Sequence, residues 1–157
     1  GQNYGAAKTD RIKEGYKQGI QMLGGIGIFT TLLLIFGAKP LFTIFIPNDP
    51  SAISEGINYL RILGMSQFLM SIEIGTTGAF NGLGKTLPPT INGVVLNILR
   101  IPAAIILSST ALGLSGVWLS ISISSNLKGI ILFLLFRRAL KNIVSEQRDD
   151  ELIEKIN

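Results

Sequence analysis

Glu73, Arg100 and Lys128 are the residues on which chemistry can be built, because each is an ionisable group set inside a long apolar stretch. A charge in such a setting is costly, so it faces other protein or a cavity, takes a partner, and marks a path for ions or protons. Let the stretches holding Glu73 and Arg100 form a hairpin that turns at Lys85. The carboxylate then lies 12 residues before the turn and the guanidinium 15 after it. At 1.5 Å per residue their depths are about 18 and about 22 Å, close enough for long side chains to meet. Lys128 lies 9 residues before Arg137, about 14 Å deep on the same rule, and is a second candidate partner. Two readings stay open. In one, Glu73 takes up a cation or a proton while Arg100 tunes its affinity and breaks away during transport. In the other, the charges form a static ion pair that holds helices together. Asn97 is the neutral candidate. With Asn81, Asn92 and Asn126 it either lines a polar path or hydrogen-bonds between helices. Arg61, near the start of its stretch, is expected to snorkel to the interface.

The elements that must position these groups are four apolar stretches, 18–38, 56–83, 87–110 and 112–136. A helix needs about 20 mostly apolar residues to cross a hydrocarbon core of about 30 Å. The fold class is therefore all-α: a polytopic membrane bundle of four transmembrane helices. It divides into a cytoplasmic loop (1–17), the transmembrane part (18–138) and a cytoplasmic tail (139–157), which reads as a soluble helix or as disorder. Asp10 is placed to cap a helix starting near Arg11, with Glu14 as its box partner. Lys39-Pro40 reads as the stop of the first helix. The apolar run Leu41–Ile46 either lies in the interface or extends that helix, and Pro47-Asn48-Asp49-Pro50 reads as a turn. Pro88-Pro89 suits the first turn of the third helix. Pro102 is expected to kink that helix beside Arg100. The Ser-Ile-Ser-Ile-Ser run at 120–124 alternates like a strand, but inside a stretch of spanning length a helix is the better reading.

Composition agrees. Hydrophobic residues make up 47% of the chain and charged residues 15%, against about 25% charged in soluble domains; the mean hydropathy is +0.46. A net charge of +4 raises nucleic acid as a partner, yet no basic face interleaves with stacking aromatics. The basic residues flank apolar stretches, so phospholipid is the expected partner. Lys8, Arg11, Lys13 and Lys17 precede the first stretch, Lys85 follows the second, and Arg137, Arg138 and Lys141 follow the fourth. The positive-inside rule places both ends and the Lys85 loop in the cytoplasm. Cysteine and histidine are both absent, which removes thiol chemistry and the usual zinc constellations. The chain starts at Gly1 in what reads as a loop and shows no leader pattern; it reads as the C-terminal part of something longer. Ala79–Thr86, AFNGLGKT, fits a loose phosphate-loop pattern. It follows a membrane helix where a strand is required, and two prolines remove N–H groups just after it, so it reads as a turn. Small residues four apart, Gly15 with Gly19, Gly78 with Gly82 and Ser120 with Ser124, read as helix-packing positions.

Two runs resemble a known family. Gly1-Gln2-Asn3-Tyr4-Gly5-Ala6 resembles the Gly-Gln-Asn-x-Gly-Ala stretch of multidrug and toxic compound extrusion (MATE) transporters, between their eighth and ninth helices. Gly78-Ala79-Phe80-Asn81-Gly82-Leu83-Gly84-Lys85-Thr86 resembles the end of their tenth helix and the following loop. The resemblance covers residues 1 to about 138. It makes Gln2, Asn3, Gly5, Asn81 and Gly82 family-motif positions and the four stretches helices 9 to 12 of a twelve-helix, two-lobe transporter. It implies export of cationic, amphipathic compounds across the plasma membrane in exchange for sodium ions or protons. No cofactor is implied beyond that transported ion. The remaining helices of the parent chain become partners, and the four stretches alone are expected to be inactive. Some members carry a functional acid in the tenth helix. Aligned on Asn81-Gly82, that acid falls near Met70, whereas this chain has Glu73 one turn later.

Other classes were weighed on the residues. A lipid-linked oligosaccharide flippase of the same superfamily would use Arg61, Arg100 and Lys128 in a cationic cavity; the opening Gly-Gln-Asn favours the drug exporter. A structural membrane subunit would use the charges only for assembly. An intramembrane enzyme lacks support, with no histidine, cysteine, paired acids or embedded Gly-x-Ser-x-Gly elbow.

Overall fold

Backbone donors and acceptors cannot be left open in an apolar setting, and the chain meets that demand with helix after helix. The computed structural model describes residues 1–45 and 49–156, with side chains as far as Ser145. Its elements are α1 (Gln2–Gly5), α2 (Thr9–Phe45), α3 (Pro50–Gly64), α4 (Gln67–Gly82), α5 (Leu87–Ser108) and α6 (Leu114–Ile156). No strand occurs among the described residues.

Three helices are long and apolar enough to cross a membrane: α2, α5 and the 114–145 part of α6. The second apolar stretch, expected as one span over 56–83, is two helices in series. Gly64, Met65 and Ser66 break it. Gly64 packs against Ile35, and the Ser66 hydroxyl donates to the Leu63 carbonyl at 2.8 Å, a local bond that competes with helix continuation. Asp49 caps α3 by accepting from the Ala52 N–H at 2.9 Å. Pro50 opens α3, while Pro47 and Asn48 of the expected turn, with Ile46, lie outside the described residues.

Other boundaries also moved. Lys39-Pro40 does not stop the first helix: α2 continues to Phe45 with Pro40 inside it, which removes one N–H and leaves the rest of the ladder to carry the chain. Asp10 is not a cap, since α2 starts at Thr9 and the carboxylate lies 3.5 Å from Lys13 Nζ. Glu14 accepts from Gln18 Nε2 at 2.9 Å. The tail, a helix or disorder by sequence, continues α6 without a break.

Packing departs from a chain of hairpins. Helix α4 rests on α2 and α6, and α5 rests on α6, while α4 and α5 barely touch. Helix α6 thus joins the two. The densest core, Phe80, Leu83, Leu132, Phe136 and Ile143, sits where α4 ends and α6 passes. Elsewhere the apolar faces of α2 and α5 point outward: Phe36 is 76% and Ile105 64% exposed. Faces of that size are at home against lipid or other protein and not against water.

Candidate ion-coupling site

Gly129 brings the site together. A Cβ there would run into the Leu69 peptide, so only glycine lets the α6 backbone press onto α4. That approach places Lys128 beside Glu73, with Nζ 3.6 Å from Oε1 and the side chains 13% and 18% exposed. Asn92 of α5, buried, donates from Nδ2 to the Lys128 carbonyl at 3.0 Å. Three helices therefore converge on one lysine.

The expected Glu73–Arg100 contact does not form. The two residues sit at similar depth, but on helices that α6 holds apart. Lys128, the second candidate partner, takes the carboxylate because it lies on that intervening helix. Arg100 turns to α6 as well, where Nε donates to Ser124 Oγ at 2.6 Å and Nη2 to Ser125 Oγ at 3.3 Å. The Ser124 hydroxyl itself donates to the Ile121 carbonyl at 3.0 Å. Asn97 is exposed, with no hydrogen bond from its side chain among the described residues. Arg61 is exposed and donates to the Ile35 carbonyl at 3.4 Å. Asn126 keeps a buried Oδ1 without a donor.

The two motif runs, which start 77 residues apart, do meet. Gly1 lies so close to Gly82 that a Cβ on it would sit 3.2 Å from the Gly82 carbonyl oxygen. Asn3 lines a cleft of about 310 Å³ with Arg11, Tyr16, Gly78 and Gly82. Gln2 and Gly5 form the short α1 beside it. The spaced glycines 15, 19 and 78, expected as packing positions, face open space; the close helix contacts fall at Gly27, Gly116 and Gly129 instead. Across the cleft wall Tyr16 and Thr76 share a hydrogen bond of 3.0 Å, and Tyr16 stacks on Phe136 at 4.2 Å.

The phosphate-loop lookalike is a helix end. The Lys85 N–H bonds the Phe80 carbonyl and the Gly84 N–H bonds that of Asn81, both at 3.0 Å. With Gly84 at φ +71° this is a Schellman motif. The N–H groups of Leu83, Gly84 and Lys85 are engaged in closing the helix and are not left to hold a phosphate.

The sequence reading passed over Ser125 and Thr76 and gave Ser124 and Gly129 no part in the site. Gly129 follows Lys128 directly, and that adjacency was the available signal. In chemical terms the site offers one carboxylate that an amine neutralises. At about 4 Å and an effective dielectric of 20, the Coulomb attraction of such a pair is on the order of 4 kcal/mol, before the cost of taking both charges out of water.

Comparison with known proteins adds independent information. The family model described as MatE matches residues 1–106. Over 112 residues the chain is 31% identical to a probable multidrug resistance protein NorM of Thermotoga maritima, an alignment covering 70% of this chain. The chain spans 22% of the length of that relative.

Proposed function

Because this chain belongs to the MatE family, we propose that it serves a secondary active transporter that expels cationic amphipathic compounds against an inward flow of sodium ions or protons. Its four apolar stretches would be the last four helices of the C-terminal lobe, in the plasma membrane, with both ends of this sequence in the cytoplasm. The likeness to NorM, a probable multidrug resistance protein, supports export of drugs as the activity.

The observation that carries the coupling role is the Glu73–Lys128 pair. Between them the apolar segments supply one carboxylate in a described ion pair, and that carboxylate is held by an amine that can release it. In the proposed cycle the coupling cation displaces Lys128 from Glu73, and α6 shifts against α4. Substrate leaves from the other side, and the pair closes again when the ion departs.

The test is efflux of a fluorescent cationic dye from cells expressing the full chain, with wild type beside Glu73→Gln at matched expression. Loss of ion-driven efflux, with membrane level and melting temperature held, is the expected result. A variant that vanishes from the membrane would make the pair structural. A wild type that moves no dye would give way to the flippase reading.

A further inference from the structure

Among the described residues, the ion pairs are Lys13–Asp10 and Lys128–Glu73. Arg100 is in neither. It sits in a helix whose next residue, Ile101, is 63% exposed, and a guanidinium cannot discharge by losing its proton. Its described partners are two neutral hydroxyls, which orient the fork without cancelling the charge. The Nη1 group makes no hydrogen bond among the described residues.

Beside it lies a cleft of about 140 Å³ with a mostly apolar lining and a narrow polar margin. Arg100, Ser120 and Ser124 form a polar edge, and Leu96, Leu99 and Leu127 are among the apolar walls. The serine hydroxyls are buried and each already donates to its own helix, Ser120 to Val117 and Ser124 to Ile121. The free donors at this edge therefore belong to Arg100. An occupant needs an anionic, multi-acceptor head and an apolar body.

We propose that Arg100, steadied by Ser124 and Ser125, binds the phosphate of an anionic phospholipid whose acyl chain runs along the leucine wall. Depth requires the headgroup to sink well into a hydrocarbon core of about 30 Å. Arg100 lies 8 residues before the end of α5 and Ser124 lies 10 after the start of α6, about 12 and about 15 Å from the loop that joins them. An arginine at that depth is tolerated where a headgroup and its water are drawn inward to it. The guanidinium fork also matches phosphate geometry, so charge-assisted bonds form on two edges.

The experiment is native mass spectrometry of the delipidated full chain in neutral detergent, titrated with phosphatidylglycerol, phosphatidylcholine or inorganic phosphate. Wild type should bind phosphatidylglycerol about tenfold more tightly than Arg100→Gln does, the loss expected for a charged hydrogen bond. Ser124→Asp, which gives Arg100 an internal carboxylate, should lose affinity equally while keeping the fold. Lys85→Gln, one charge fewer on an exposed loop, should stay within about twofold, since surface charge contributes little. Phosphatidylcholine should bind more weakly than phosphatidylglycerol, and millimolar phosphate should leave the lipid bound. Equal lipid affinity in wild type and Ser124→Asp would overturn the proposal. So would displacement of lipid by phosphate, which would reassign the site to the free ion.

Discussion

Lys128 and Arg100 sit on neighbouring helices, both in apolar stretches, and the protein treats them in opposite ways. Lys128 has a carboxylate at 3.6 Å, whereas Arg100 has two hydroxyls and, among the described residues, no acid. The contrast follows from the side chains. An ammonium is a compact point charge on a flexible stem and can give up its proton when buried, while a guanidinium is permanently charged and built for planar, forked contacts. A pair that must open and close is suited to lysine and glutamate. A charge that must stay is suited to arginine. On the proposed function, the difference would separate a switchable layer between α4 and α6 from a fixed positive layer between α5 and α6.

The sharpest way to break that contrast is to strand one partner. Lys128→Met leaves Glu73 as an uncompensated charge and should cost about 3 kcal/mol or more of stability, read as a large fall in melting temperature of the full chain. The double variant with Glu73→Gln should recover most of the loss, which a double-mutant cycle measures directly. If Lys128→Met and Arg100→Gln cost the same, the two cations are not in different roles.

Gly129→Ala is the next test, because it disturbs the approach and not the charges. Its Cβ would meet the Leu69 peptide, and overpacking of this kind costs about 2 kcal/mol. A Cβ at Gly93, which has open space around it, should be neutral or stabilise by up to about 1 kcal/mol. Melting temperatures of the two alanine variants, one falling and one holding, would show that the lysine is placed by backbone contact at Gly129.

Much of this was legible before any coordinates. The apolar runs gave three continuous spanning helices, the prolines at 88 and 89 marked the start of α5, and the two motif runs pointed to the family. What escaped has physical causes. A hairpin was assumed between consecutive stretches, but side-chain size at Gly129 and Gly116 decides which helices approach, and it favours α6 as the common neighbour. That is why Glu73 found Lys128 and not Arg100. The break at Gly64–Ser66 was missed because composition stays apolar across it. It is made by a hydroxyl bonding its own backbone, which hydropathy does not register. Asn97 lies apart from the Glu73–Lys128 pair for a simpler reason. It sits five residues from Asn92, about 140° around a helix of 3.6 residues per turn, so both cannot face α6.

The finest test lies within the arginine layer itself. Its two hydroxyl contacts differ in length, 2.6 Å to Ser124 and 3.3 Å to Ser125, and only the shorter lies well inside good hydrogen-bond geometry. Hydrogen bonds to charged groups are worth roughly 1.5–3 kcal/mol, so Ser124→Ala should destabilise by about 1.5 kcal/mol. Ser125→Ala should lose well under about 1 kcal/mol, since a long bond to a mobile fork tip is readily replaced. Both serines are equally buried, so cavity effects are matched and the difference reports the hydrogen bonds alone. Thermal unfolding of the two variants in the same detergent measures it. A fixed arginine demands this ordering, because Nε lies on the rigid base of the fork and sets its direction. If the two variants melt together, Arg100 is free to swing, and the distinction between a fixed and a switchable layer would have to rest on charge alone.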